Sequence, residues 1–165
     1  MNFQFYLEKL FASENFQEFK KENPEAYPCS GFFMIDFEKS DNQFHFDYFI
    51  PSTKKMFSFK LESEIEKIPV EIIDKRTPEK LSMNYDFDFD DVVKLIQEKM
   101  NQENINKKIQ KVLLSLQKSG NNDFLLGTIF ISALGILKIK INTSEMKIIS
   151  FEKKSFFDMM KIIKK

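Results

Sequence analysis

Two groups of residues in this sequence have side chains and spacings suited to chemistry. The first is the run Asp86, Asp88, Asp90 and Asp91. Carboxylates at alternate positions match the first three oxygen ligands of a calcium-binding loop. The match then stops. Asp91 stands where that loop needs a Gly for its sharp turn, and Gln97 stands where it needs a bidentate Glu. The run reads better as the acidic start of a helix. Asp88 is the N-cap, Asp91 lies three residues on, and Phe87 and Val92 are placed as a hydrophobic staple. A different divalent-metal site at Asp86, Asp88 and Asp91 is the alternative. The second group is Cys29, His45 and Asp47, which have the types of a nucleophile, a base and an orienting acid. In one extended strand His45 and Asp47 point to the same face. No motif surrounds Cys29, which follows Pro28, and a lone Cys behaves most often as a small buried hydrophobe. With one Cys and one His, the chain cannot build a four-ligand structural zinc site.

No glycine-rich nucleotide fingerprint, phosphate-binding loop or nucleophile elbow occurs, and the chain has only 4 Gly to build one. No catalytic residue and no cofactor is assigned. The 20 Phe include Phe32, Phe33, Phe44, Phe46, Phe57 and Phe59. A stacking platform for single-stranded nucleic acid would interleave such rings with Arg or Lys. Here the neighbours are largely Asp, Glu, Ser and His, so these rings are read as core and no nucleic acid is expected as a partner.

The 165 residues carry 25 basic and 25 acidic side chains, so bulk attraction to a polyanion is absent. The balance is uneven along the chain. Residues 1–104 sum to −8 and residues 105–165 to +8. Two halves that pack or pair with each other account for this, and so does a basic surface for an acidic partner. The single Cys excludes an intrachain disulfide framework. The N-terminus lacks a basic leader region, and the apolar stretch Phe124–Leu137 is too short for the roughly 20 residues that span a bilayer. A cytoplasmic protein without a membrane span is expected, with Phe124–Leu137 as a pair of buried strands.

The elements that must position these residues follow from periodicity. Phe3, Leu7, Leu10 and Phe11 recur at helical spacing, and Ser13 caps a second short helix that ends at Asn23-Pro24. Gly31–Phe37, Phe44–Phe49 and Met56–Leu61 then read as three strands of a meander. Residues 63–87 read as a connection, with one short extended piece near Val70. A helix starts at Asp88, and Ile105, Ile109, Val112, Leu113 and Leu116 predict a second one that Gly120 stops. Phe124–Ser132, Gly135–Ile141 and Met146–Phe151 predict three more strands, the last two joined by a hairpin at Asn142–Glu145. Ser155 with Asp158 predicts a closing C-terminal helix bearing Phe156, Met159, Met160 and Ile163. The expected fold is α+β. Residues 1–62 form one helix–three-strand half, residues 63–87 the connection and residues 88–165 the other half with its closing helix. These are one domain or two packed halves, an internal duplication of pattern.

Leu137–Glu152, LKIKINTSEMKIISFE, is similar to the end of PepSY-type domains, where a strand is followed by a hairpin and a final strand. Ile139-Lys-Ile141 covers the strand, Asn142 replaces the usual Asp, Thr143–Lys147 covers the turn, and Ile105–Lys118 stands where the family's helix would. Gln43–Phe59 resembles a second, looser copy. The resemblance implies a noncatalytic binding or regulatory module with a protein or peptide partner. The alternatives are a structural protein that dimerises through its acidic and basic halves, and a metal- or thiol-dependent enzyme. If Asp86, Asp88 and Asp91 serve only the helix start, calcium or magnesium leaves the melting temperature unchanged. A site filled at 100 times its dissociation constant would instead add about 2.7 kcal/mol.

Overall fold

The computed structural model describes residues 2–73 and 76–155. Two helices open the chain, α1 (Phe3–Ala12) and α2 (Glu14–Glu22). Asn2 caps α1 by accepting from the Gln4 N–H, and Ser13 stands at the N-cap position of α2 without a side-chain cap bond. Four strands follow: β1 (Tyr27–Asp36), β2 (Gln43–Ile50), β3 (Lys55–Lys60) and β4 (Glu66–Val70). Helix α3 (Phe89–Gln102) leads to four more: β5 (Ile109–Ser119), β6 (Asn122–Ile131), β7 (Gly135–Asn142) and β8 (Lys147–Ser155). All eight join one antiparallel sheet in the order β4-β3-β2-β1-β5-β6-β7-β8.

This corrects the expected pair of helix–three-strand halves. Each half contributes four strands, and the halves share one sheet through the β1–β5 pairing. The predicted helix at Ile105–Lys118 is strand β5. Its burial alternates at Val112, Leu114 and Leu116, while the register against β6 shifts between Ile109 and Lys111. That bulge puts Ile109 and Val112, three residues apart, in the core together and so imitates a helical spacing. Gly120 does not stop a helix. It takes φ 64° at the first position of the two-residue turn between paired Ser119 and Asn122, where Gly suits a II′-type hairpin. Strand β4 occupies part of the expected connection. β8 runs through Ser155, the expected cap of the closing helix, and the helix itself lies outside the described residues.

The three helices pack on one face of the sheet. Phe3 of α1 meets Phe33, Phe46, Tyr85, Phe87 and Phe89, with centroids 5.0–5.9 Å apart. Phe16 and Phe19 of α2 contact Tyr48 and Phe59, and Phe89 of α3 contacts Phe33 and Phe44. Further along α3, Lys99 lies over the Phe151 ring of β8, so this helix crosses from the first half to the second. One continuous buried core results, extending through Leu114, Ile129, Leu137 and Ile141. Among the described residues no helix is long and apolar enough to cross a membrane.

The segment from β4 to α3 is tied over one end of the sheet. Leu81 N–H donates to the Pro28 carbonyl, and Tyr27 Oη donates to that of Pro78. Buried Asp123, at the start of β6, accepts from Ser82 N–H at 3.0 Å, Ser82 Oγ at 3.2 Å and Tyr85 Oη at 2.6 Å. A buried carboxylate is tolerated because three donors replace its water. Burial, and then the bond to Asp123, push the Tyr85 phenol well above its ordinary pKa.

Close packing leaves a testable mark at Gly127. A Cβ there would lie 2.6 Å from Ile139 Cγ1 and 3.3 Å from Leu114 Cδ2. Gly127→Ala should cost about 1–3 kcal/mol in urea unfolding through overpacking. In an Ile139→Ala background, where the obstructing side chain is gone, the same change should cost nothing further.

Candidate functional site

Alternation along each strand gives the sheet a second face, turned away from the helices. On β1, Phe33 and Ile35 enter the core while Phe32 and Met34 point the other way. The register carries this parity across the sheet. His45 and Asp47 of β2, Ser58 and Lys60 of β3, Leu113 and Ser115 of β5, Leu126 and Thr128 of β6, and Lys138 and Lys140 of β7 share the outer face. Among the described residues no helix lies on it.

On its β1–β3 side the outer face holds a polar network. Ser30 Oγ donates to Asp47 Oδ2 at 2.7 Å, and Ser58 Oγ lies 3.4 Å from His45 Nδ1. Cys29 occupies a bulge in β1, where the register shifts between Pro28 and Ser30. Its Sγ lies 3.9 Å from Ser30 Oγ and donates to the Asp47 carbonyl at 3.5 Å. The structure therefore gathers Cys29, His45 and Asp47 into one neighbourhood. It does not arrange them for thiol catalysis. The thiol bonds to a backbone carbonyl, and Ser58 takes the His45 nitrogen. Burial, then the nearby Asp47 charge, push the Cys29 thiol up to about 12, so it stays protonated at neutral pH. Burial also raises the Asp47 carboxyl, against the downward pull of Ser30, Ser58 and His45. Ser30 and Ser58 complete the network and are missing from the sequence-level candidates. Hydroxyls are common in strands, and only the register places these two beside Asp47.

The β5–β7 side of this face is different. Phe32 and Leu126, each a Cα partner of Ser115, are 39% and 38% exposed. Half-buried Met34, Leu113, Phe124 and Phe130 surround them. Phe32 is thus an exception among the aromatics read as core. Lys138 Nζ donates to Thr128 Oγ1 at 3.0 Å, and Lys140 Nζ lies 4.2 Å from the Phe124 ring centroid. Among the described residues neither ammonium is in an ion pair with a carboxylate.

The acidic group behaves as a helix start. Asp88 is the N-cap of α3 and accepts from the Asp90 N–H at 2.8 Å, while Asp86 and Asp91 are exposed. Among the described residues no three His, Cys, Asp or Glu side chains are placed to hold one metal ion. A cleft of about 730 Å³ lies between α2 and β4, lined by Glu18, Glu22, Glu64 and Glu66 with Lys67. Lys67 lies over the rings of Phe19 and Phe57.

No family model matches this chain, and no curated protein does. Among solved structures it is similar to a candidate lipoprotein from Clostridium difficile 630. The identity is 12% and the TM-score 0.58, over 86% of this chain and 91% of that one. At that identity the likeness extends to the fold alone.

Asp47 sets a pH test. The folded carboxyl binds its proton more tightly than the unfolded one, so the native state holds more protons between the two values. The contribution of Asp47 to stability is therefore greatest below the ordinary aspartate value and falls as pH rises through the folded one. Asp47→Asn keeps an acceptor for Ser30 without the buried charge. It should raise the melting temperature at pH 7 and remove this fall, so that variant and wild type converge in acid.

Proposed function

We propose that this protein is a noncatalytic protein-binding module whose working surface is the outer face of the sheet. The observation that carries the reading is the apolar strip around Phe32 and Leu126, on the face that no described helix covers, bordered by Lys138 and Lys140. A solvated sheet face is ordinarily polar, and contiguous exposed apolar surface marks interaction sites. The protonated Cys29 thiol and the Ser58-bound His45 favour binding over thiol chemistry.

The PepSY resemblance supports the reading only in part. The Asn142–Lys147 hairpin is present between β7 and β8, and Asn142 Oδ1 accepts from the N–H groups of Ser144 and Glu145. The helix that the resemblance places at Ile105–Lys118 is a strand, so the regulatory role rests on the surface rather than on the family.

Selection of a random displayed-peptide library on the immobilised protein tests the site. Synthetic copies of the selected peptides should bind Leu126→Lys at least tenfold more weakly than wild type. They should bind Phe5→Lys, a change on exposed α1, equally well. Binding that survives Leu126→Lys and is lost in Glu18→Lys/Glu22→Lys would move the site to the α2–β4 cleft.

A further inference from the structure

We infer that the partner seated on the outer face is a second copy of this chain, packed face to face about a two-fold axis parallel to the strands. The inference rests on the outer face being the binding surface. Three features select this occupant.

The first is charge. On β1–β4 the outer face carries Asp36, Asp47 and Glu66 against Lys60, a net −2. On β5–β8 it carries Lys111, Lys138, Lys140, Lys147 and Lys154 against Glu152, a net +4. The face therefore keeps the sign of the split along the chain. A two-fold axis parallel to the strands, over the β1–β5 seam, reverses strand order and lays the positive half of each copy over the negative half of the other. An in-plane axis perpendicular to the strands would stack β8 on β8 and place like charges together. Electrostatics thus chooses one of the two symmetric arrangements.

The second feature is position. Phe32 and Met34 on β1 and Leu113 on β5 flank the middle of the strand order, so the axis passes close to them, Met34 of each copy faces Leu113 of the other, and Leu126 on β6 falls over β2 of the second copy. An apolar centre with charges toward the rim is the usual anatomy of an interface. The third is size. Eight strands about 4.8 Å apart and about eight residues long present roughly 900 Å², close to the roughly 800 Å² per partner that a standard stable interface buries.

Light scattering of the full chain over a concentration series, with sedimentation equilibrium, tests the proposal. A mass near twice 19.6 kDa is expected at about 100 µM, with dissociation on dilution. Leu126→Lys should weaken the dimer at least tenfold, and so should Lys138→Glu, a change on the outer face that spares the core. Raising salt from about 0.05 to about 0.5 M should weaken it severalfold, and Phe5→Lys should leave it unchanged. Circular dichroism establishes that each variant is folded. Monomer at every concentration overturns the proposal, and so does a dimer that ignores the outer-face variants. If the chain is monomeric while selected peptides still lose affinity for Leu126→Lys, the binding surface stands with another occupant. If both fail, the binding reading falls with the dimer.

Discussion

The antiparallel pairing of β1 with β5 is the constraint on which the rest of the molecule depends. Each half of the chain folds as a four-stranded meander, and each meander alone would have two open edges and too little apolar surface to close a core. Pairing β1 with β5 removes one edge from each. It sets Gly31 opposite Leu116, Phe33 opposite Leu114 and Ile35 opposite Val112 on the helix side. Those positions sit under the place where α1 and α3 meet through Phe3 and Phe89. From two sequence halves of opposite charge the seam therefore makes one sheet, one core and one face that no described helix covers.

The same register sets the outer face. Phe32 meets Ser115, Met34 meets Leu113 and Asp36 meets Lys111, whose ammonium lies 3.8 Å from the Asp36 carboxylate. A slip of one residue would exchange the two faces and turn Phe33 and Leu114 outward. With the core so aromatic, that slip is strongly opposed, and the outer set is fixed as a consequence. Asp47 belongs to this outer set and keeps a half-buried carboxylate that burial disfavours. Ser30 and Ser58 offset the cost without removing it. A polar group held at such a cost beside an apolar strip suits a surface selected for specificity of association as well as for stability.

Much of this was legible in the residues. Helix α1, the starts of α2 and α3, the strands β1–β3 and β6–β8, and the shared face of His45 and Asp47 follow from helical spacing, from caps and from period-two alternation. Two strands were hidden for different reasons. β4 is an edge strand with only Ile68 half-buried and a Pro at position 69, so it lacks the alternation that signals a strand. β5 alternates, but its bulge near Ile109 adds a residue and produces helical spacings. The site was legible only as types. That Cys29 would sit in a bulge against a carbonyl, that Ser58 would take His45, and that Asp123 would receive donors from Ser82 and Tyr85 depend on registers and on contacts up to 41 residues apart. The exposed position of Phe32 was hidden by its neighbour Phe33, because two adjacent rings in one strand cannot both face the core.

The central claim is that one face of the sheet is saturated by the chain itself and the other is made for association. Methyl-resolved NMR of the full chain on serial dilution tests it most directly, because methyl groups on both faces report at once. The signals of Met34, Leu113 and Leu126 should shift as the protein is diluted, while those of Leu7, Leu114 and Ile129 stay in place. Signals that all remain fixed, or shifts confined to the helix side, would contradict it.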